Sequence, residues 1–228
     1  MAPLEAIIER MADVGNAAET AYAVLREAIV TNTLKPGTRL RADDIAGMLG
    51  VSKTPVREAL RKLQAEEFIT VQAGNVLTVK EVTEQELLEI YCTREALEGM
   101  AARLAADNAG TLDLANLRAI IGEIKACGSN LKRMRMLTGD FQLLVFRAAR
   151  NDTIYRLLRH LQDQIRQFSG TTLTQPGRAK EAAAYCANLF AAIERRDANA
   201  AEKIARENRR RTLELRIKML RAAPGNTA

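Results

Sequence analysis

The ten residues VSKTPVREAL, 51 to 60, constrain what this chain can fold into more than any other stretch. Lys53, Arg57 and Arg61 recur every fourth residue and so share one helix face, while Val56, Ala59, Leu60 and Leu63 follow the 3,4 spacing of a buried stripe on the other. Pro55 suits the first turn of a helix, where a missing N–H costs nothing, and Ser52 or Thr54 can cap it. The spacing predicts a short helix ending near Glu66, with its N-terminus and a row of cations turned outwards. Those parts suit phosphate at the helix end and base edges in the major groove of DNA. A cationic helix face is more often merely solvated, so the flanking sequence has to decide.

Upstream, Tyr22, Leu25, Ala28 and Ile29 predict a helix over about Thr20 to Asn32, ended by the Pro36-Gly37 turn. A second helix is expected over about Asp43 to Leu49. It opens with two acids that suit its positive end, and Gly50 closes it. Downstream the period changes to that of strands. Phe68, Ile69 and Val71, then Val76, Leu77 and Val79, flank Ala73-Gly74-Asn75 and read as a hairpin. Three helices followed by a hairpin make a winged helix-turn-helix.

The run from Leu34-Lys35-Pro36-Gly37 through the VSKTPVREAL block resembles the N-terminal domain of the GntR family of bacterial transcription regulators, over roughly residues 20 to 80. By that resemblance Ser52, Lys53, Thr54, Pro55, Arg57 and Arg61 belong to the DNA-reading helix, with Gly74 and Asn75 at a wing tip that enters the minor groove. The family most often has Arg where this chain has Lys53, and often Arg where it has Asp43. Lysine cannot fork onto a guanine as rigidly as arginine, so an altered base preference is expected.

From Thr83 onwards the pattern is helical throughout. Thr83-Glu84-Gln85-Glu86 has the form of a capping box and starts a helix reaching about Asp107, with Leu87, Ile90, Tyr91, Leu97, Ala101 and Leu104 as its inner stripe. Further helices are expected over about 111–127, 129–149, 152–169, 178–196 and 198–221. A core low in aromatics (4%, with no Trp) must be built from aliphatic side chains and alanine, which suits helices. This portion resembles the all-helical FCD effector-binding domain of the FadR subfamily, through Arg94 to Glu98, Ala101 to Ala105, Phe141 to Asn151, and the turn from Ala192 to Asp197. The expected fold is therefore mostly α. An arm over 1–18, read as frayed or as an extra helix for a partner, precedes the winged helix-turn-helix of 19–81. The helical-bundle FCD domain of 82–222 and a tail over 223–228 follow.

Arg94 falls within the inward arc of its helix, and a buried guanidinium must be paired. Either an ion pair with Glu98 one turn on, or with another helix, neutralises it, or it clamps the carboxylate of a small acid, for which its planar fork is suited. FCD domains often hold a divalent metal on an Asp, a His four residues later and a His on each of two later helices. The resemblance puts Thr138, Gln142, Cys186 and Asn208 at those positions, and none keeps the ligand type. The chain has a single histidine, His160, so a histidine-rich site cannot be rebuilt elsewhere. A domain without metal or other cofactor is expected, its effector site formed by Tyr91, Arg94, Thr138, Gln142, Cys186 and Asn208.

Three scattered cysteines, the lack of a leader-like segment and the lack of a long apolar run predict a soluble, cytoplasmic protein. The net charge of +6 supports an anionic partner. The basic last helix reads as a solvated face, with Ile204, Leu213, Ile217 and Leu220 inward. The expected function is a regulator, a repressor by family default. It would bind double-stranded operator DNA as a homodimer, because one winged domain reads too few base pairs to be selective. It would respond to a small organic acid. The alternative is a DNA-binding dimer whose helical domain serves only dimerisation or protein contacts. No nucleophile motif or glycine-rich phosphate loop suggests an enzyme.

Overall fold

The computed structural model describes residues 2–11, 15–81, 83–166 and 171–222. The chain divides into two compact units, Met1–Val82 with Gln162–Ser169, and Thr83–Leu161 with Gly170–Ala228. The expected tail, 223–228, lies outside the described residues.

The first unit holds α1 (Ala2–Met11), α2 (Ala17–Val30), α3 (Ala42–Leu49), α4 (Lys53–Ala65), β1 (Ile69–Gln72) and β2 (Val76–Val79). α2 starts three residues before the sequence pattern suggests, because Asn16 and Glu19 form a capping box. The Asn16 side chain accepts from the Ala18 and Glu19 amides, and the Glu19 carboxylate accepts from the Asn16 amide, all at 3.0 Å. Gly50 closes α3 in the left-handed region, at φ 65°, which glycine adopts without strain.

Leu25 and Ile29 of α2 meet Val56, Leu60 and Leu63 of α4, with Phe68 and Val79 sealing the hairpin end. β1 and β2 pair antiparallel from Ile69 opposite Val79 to Gln72 opposite Val76. Residues 37–40 run beside β2: the Gly37 amide donates to the Val79 carbonyl and the Leu40 amide to the Leu77 carbonyl, both at 2.9 Å. The Pro36-Gly37 turn thus ties the wing to the helices.

Of the two readings of the N-terminal segment, the structure has the extra helix, and it packs on its own chain. Leu4, Ile7, Ile8 and Met11 form a complete stripe, and α1 lays it on Val24 and Ala28 of α2, with Arg10 paired to Glu27 at 2.9 Å. Val24 and Ala28 lie on a side of α2 that α4 does not cover, which gives the stripe a surface to bury.

The second unit holds α5 (Glu84–Asn108), α6 (Thr111–Ala126), α7 (Leu131–Ala148), α9 (Arg178–Glu194) and α10 (Ala198–Ala222), with a short 3-10 turn at Thr172–Thr174. α8 (Asp152–Arg166) precedes that turn; its expected last residues, 167–169, lie outside the described ones. Leu117, Ile121, Phe141, Val145, Leu189 and Ile193 are central to the core.

α5 and α10 run antiparallel along each other. Glu84 pairs with Arg221, Glu95 with Arg210, and Arg103 with Glu202, so the start of one helix meets the end of the other. Among the described residues no helix is long and apolar enough to cross a membrane.

Candidate nucleic-acid interface and effector site

α4 separates its two faces as its sequence requires. Val56, Ala59, Leu60 and Leu63 are buried, and Lys53, Thr54, Arg57 and Arg61 are exposed. Ser52 is the N-cap residue, but its hydroxyl makes no capping bond, contrary to expectation, and Thr54 lies inside the first turn. Pro55 is the third helical residue and withholds no hydrogen bond the helix could use. The open N-terminus and the hydroxyl of Ser52 therefore face solvent together.

Lys53 Nζ pairs with Asp43 Oδ2 of α3 at 3.0 Å, whereas Arg57 and Arg61 have no ion pair among the described residues. The two departures from the family pattern are thus partners. Both side chains are more than half exposed, so the pair is worth at most about 1 kcal/mol and yields readily to phosphate. At the wing tip Gly74 and Asn75 take successive left-handed conformations, φ 78° and 58°, which suits a tight hairpin turn and leaves both residues exposed.

In the helical unit, Arg94 is 3% exposed, Glu98 2% and Arg209 4%. Arg94 Nε donates to Glu98 Oε1 at 2.8 Å, Arg209 Nε donates to Oε2 at 3.1 Å, and each guanidinium places a second nitrogen on the same carboxylate. Both guanidiniums also lie against the Tyr91 ring, at 5.9 and 5.7 Å from its centre. Burial and the Arg209 charge weaken Arg94's hold on its proton while Glu98 strengthens it; an arginine stays charged throughout. Arg94 therefore points inward as its register predicts and has Glu98 as its partner.

Arg209 contradicts the solvated reading of the last helix. The buried positions of α10 are Ala201, Ala205, Arg209, Thr212 and Leu215, while Ile204, Leu213, Ile217 and Leu220 are only partly covered. The signal was the four-residue step Ala201, Ala205, Arg209. Small residues there let α10 lie close on α5, but they carry little hydrophobic weight.

Arg178, at the first position of α9, was not anticipated either. It is 6% exposed. Its Nη2 donates to Asn208 Oδ1 at 2.8 Å and to Thr212 Oγ1 at 2.9 Å, and its Nη1 to Glu181 Oε2 at 3.3 Å. The available signal was electrostatic: a cation opening a helix opposes the macrodipole and so needs a local reason.

Of the remaining expected site residues, Asn208 joins Arg178 and Cys186 is wholly buried beside it. Burial pushes the Cys186 thiol up to about 12, against the opposing pull of the Arg178 charge. Thr138 spends its hydroxyl on its own helix, donating to the Met134 carbonyl at 2.8 Å, and Gln142 is half-buried one turn further along α7.

This donor set does not suit a divalent metal. The Asn208 oxygen already faces a guanidinium and the threonine hydroxyl is engaged on its own helix, which leaves one thiol and one amide. Among the described residues no group of three or more His, Cys, Asp or Glu could hold a metal ion.

The thiols provide a direct check on this interior. At pH 8 a group near 12 is thiolate at roughly one part in ten thousand. A disulfide exchange reagent should therefore label exposed Cys92 within minutes and leave Cys186 unmodified until the protein unfolds. Labelling of Cys186 at the rate of Cys92 would place the thiol in contact with solvent.

Residues 17–79 match the model of the bacterial regulatory proteins of the gntR family, and residues 89–211 match that of the FCD domain. The HTH-type transcriptional regulator YdhC of Bacillus subtilis (strain 168) is 26% identical over 80% of this chain and 83% of its own length. The HTH-type transcriptional regulator McbR of Escherichia coli (strain K12) is 39% identical over 44% of this chain and 46% of its own. The HTH-type transcriptional repressor GlaR of the same strain is 29% identical over 50% and 53%. The solved structure of E. coli McbR/YncC matches with a TM-score of 0.74 at 23% identity, covering 90% of this chain and 99% of that one, which is a likeness of fold.

Proposed function

The chain belongs to the GntR family of bacterial regulatory proteins that carry an FCD domain, and is a DNA-binding transcription regulator; from that premise we propose that it binds a palindromic operator as a homodimer and releases or engages it in response to a small organic acid. Double-stranded DNA is met by Ser52, Lys53, Thr54, Arg57 and Arg61 on the first turns of α4, with Gly74 and Asn75 reaching the minor groove. One α4 reads only a few base pairs, and a second copy related by two-fold symmetry supplies the rest of the site. Repression is the expected sense, as in the relative named as a repressor. The cytoplasm, where operator DNA lies, is its place of action.

The observation that supports an effector is the cluster of charged and polar side chains inside an otherwise apolar bundle: Arg94, Glu98 and Arg209 beside Tyr91, and buried Arg178 bonded to Thr212 and to half-buried Asn208 on the same helix as Arg209. Replacing a buried ionic set by apolar residues is often neutral or stabilising, so stability alone does not call for this one. A ligand that needs charge recognition does. The effector site uses no metal: Thr138 and Asn208 are engaged within the protein, and a thiol and an amide alone make a poor site for a divalent ion.

Selection from a random DNA pool with the full-length protein tests this reading. The enriched sequences should be inverted repeats, the protein should sediment at twice the 25.1 kDa chain mass, and an organic acid should change the anisotropy of the bound DNA. Enrichment of single, non-repeated sites by a monomer would overturn the dimer. DNA binding indifferent to every acid tried would leave the helical domain a dimerisation module.

A further inference from the structure

Three guanidiniums, Arg94, Arg178 and Arg209, are buried in the helical unit, and the described residues bury a single carboxylate there, Glu98. Glu98 is already shared between Arg94 and Arg209. Among the described residues, Arg178 has as its carboxylate partner Glu181, whose side chain is 42% exposed and which also pairs with Arg211 at 3.4 Å. Water screens a carboxylate so placed, and its charge is divided between two cations. Among the described residues, the positive charge of this interior is therefore only partly neutralised.

Arg178 also has an unused donor. Its Nε–H is enclosed and has no partner among the described residues, although the two terminal nitrogens are engaged. A buried unpaired N–H on a charged group is costly, and native structures rarely leave one without a purpose. The groups around it, Asn208 and Cys186, stand at two of the positions that carry metal ligands in metal-bearing FCD domains. Asn208 is adjacent in sequence to Arg209, and Thr212 lies one turn beyond it on the same buried stripe. Arg178 is thus tied to α10 on either side of Arg209, one residue before it and three after it.

Resting on the effector-binding reading above, we infer that the Arg178 guanidinium takes the place of a metal ion in this domain and anchors one end of an organic dianion, whose second anionic group meets the Arg94 and Arg209 pair. A guanidinium offers the fixed positive charge a metal would supply, with directed N–H donors instead of open coordination positions. Two separated cationic centres select a ligand with two negative groups over one with a single group and an apolar tail. The latter would leave one centre unmatched.

The test compares two four-carbon acids on the full-length protein, succinate as the dianion and butyrate as the monoanion, each against sodium chloride at equal ionic strength and each with and without EDTA. Succinate in hundredfold excess over its dissociation constant should raise the melting temperature by roughly 5 °C or more. Butyrate should give less than half that shift, and EDTA should change neither. Arg178→Gln keeps an amide donor for Asn208 but removes the charge. It should retain the helical circular dichroism of the parent and lose the succinate shift, while Arg178→Lys should keep part of it.

A succinate shift of full size in Arg178→Gln would overturn the anchor and leave the effector reading standing. Equal shifts from the two acids would overturn the dianion. A shift abolished by EDTA would restore a metal. No shift from either acid would overturn the inference and the effector reading together.

Discussion

Arg57→Ala is expected to abolish specific operator binding while leaving the fold and melting temperature unchanged. Arg57 lies on the exposed part of α4, outside the buried stripe of Val56, Leu60 and Leu63, and no described residue pairs with it, so its loss removes nothing that the folded domain uses. A good arginine contact to a base is worth about 1–3 kcal/mol, and a two-fold complex contains it twice. The loss of affinity should therefore be roughly a hundredfold or greater at constant salt, read by gel shift or anisotropy. Wild-type affinity in Arg57→Ala would remove α4 from the interface. Arg61→Ala, one turn further from the helix N-terminus, should weaken all sequences alike and flatten the salt dependence by about one phosphate contact.

Glu98→Ala is expected to have the largest effect on stability of any single substitution in the helical unit. It strips the one buried carboxylate from between Arg94 and Arg209 and leaves two like charges facing each other without water. Breaking a buried pair by removing one partner costs about 3–5 kcal/mol, against a total stability of about 5–15 kcal/mol. A drop in melting temperature of roughly 10 °C, or insoluble expression, should follow. Glu98→Gln keeps the shape and part of the hydrogen bonding, and should fall between. The contrast is Arg210→Ala: its own side chain is largely at the surface, although its partner Glu95 is mostly covered, so the melting temperature should fall far less than in Glu98→Ala. A Glu98→Ala variant melting within a degree or two of the parent would mean that the three charges are not enclosed as described.

Most of the fold was legible because its signals are local. The capping box at Thr83, the glycine after Leu49 and the stripe through Val56 and Leu63 each act within one or two turns, and the elements start and stop close to where those residues place them. The errors are also physical. α2 begins earlier than its apolar pattern because a cap, not a hydrophobic residue, starts it. α1 stayed open between two readings because its stripe, though complete, is short, and a short helix is stable only when another surface covers it.

The candidate sites divide in the same way. For DNA contact the spacing of Lys53, Arg57 and Arg61 places all three outward. For the effector site, the register of Arg94 already directs it inward and puts Glu98 one helical turn away. Arg209 and Arg178 were hidden because α10 has cations in almost every register, and the alanines that mark its inner side look the same as the alanines of an exposed helix.

The sequence by itself determined the order of elements, the outward row on α4 and the arginine turned into the bundle, since each follows from helical periodicity and from what an unpaired charge costs in an apolar interior. Only the tertiary structure decided which cations share Glu98, which one lies beside Asn208, Thr212 and Cys186, and that Lys53 is held by Asp43. Those are pairings between helices separated by up to 111 residues along the chain, or across a turn, and no periodicity within a single helix encodes them.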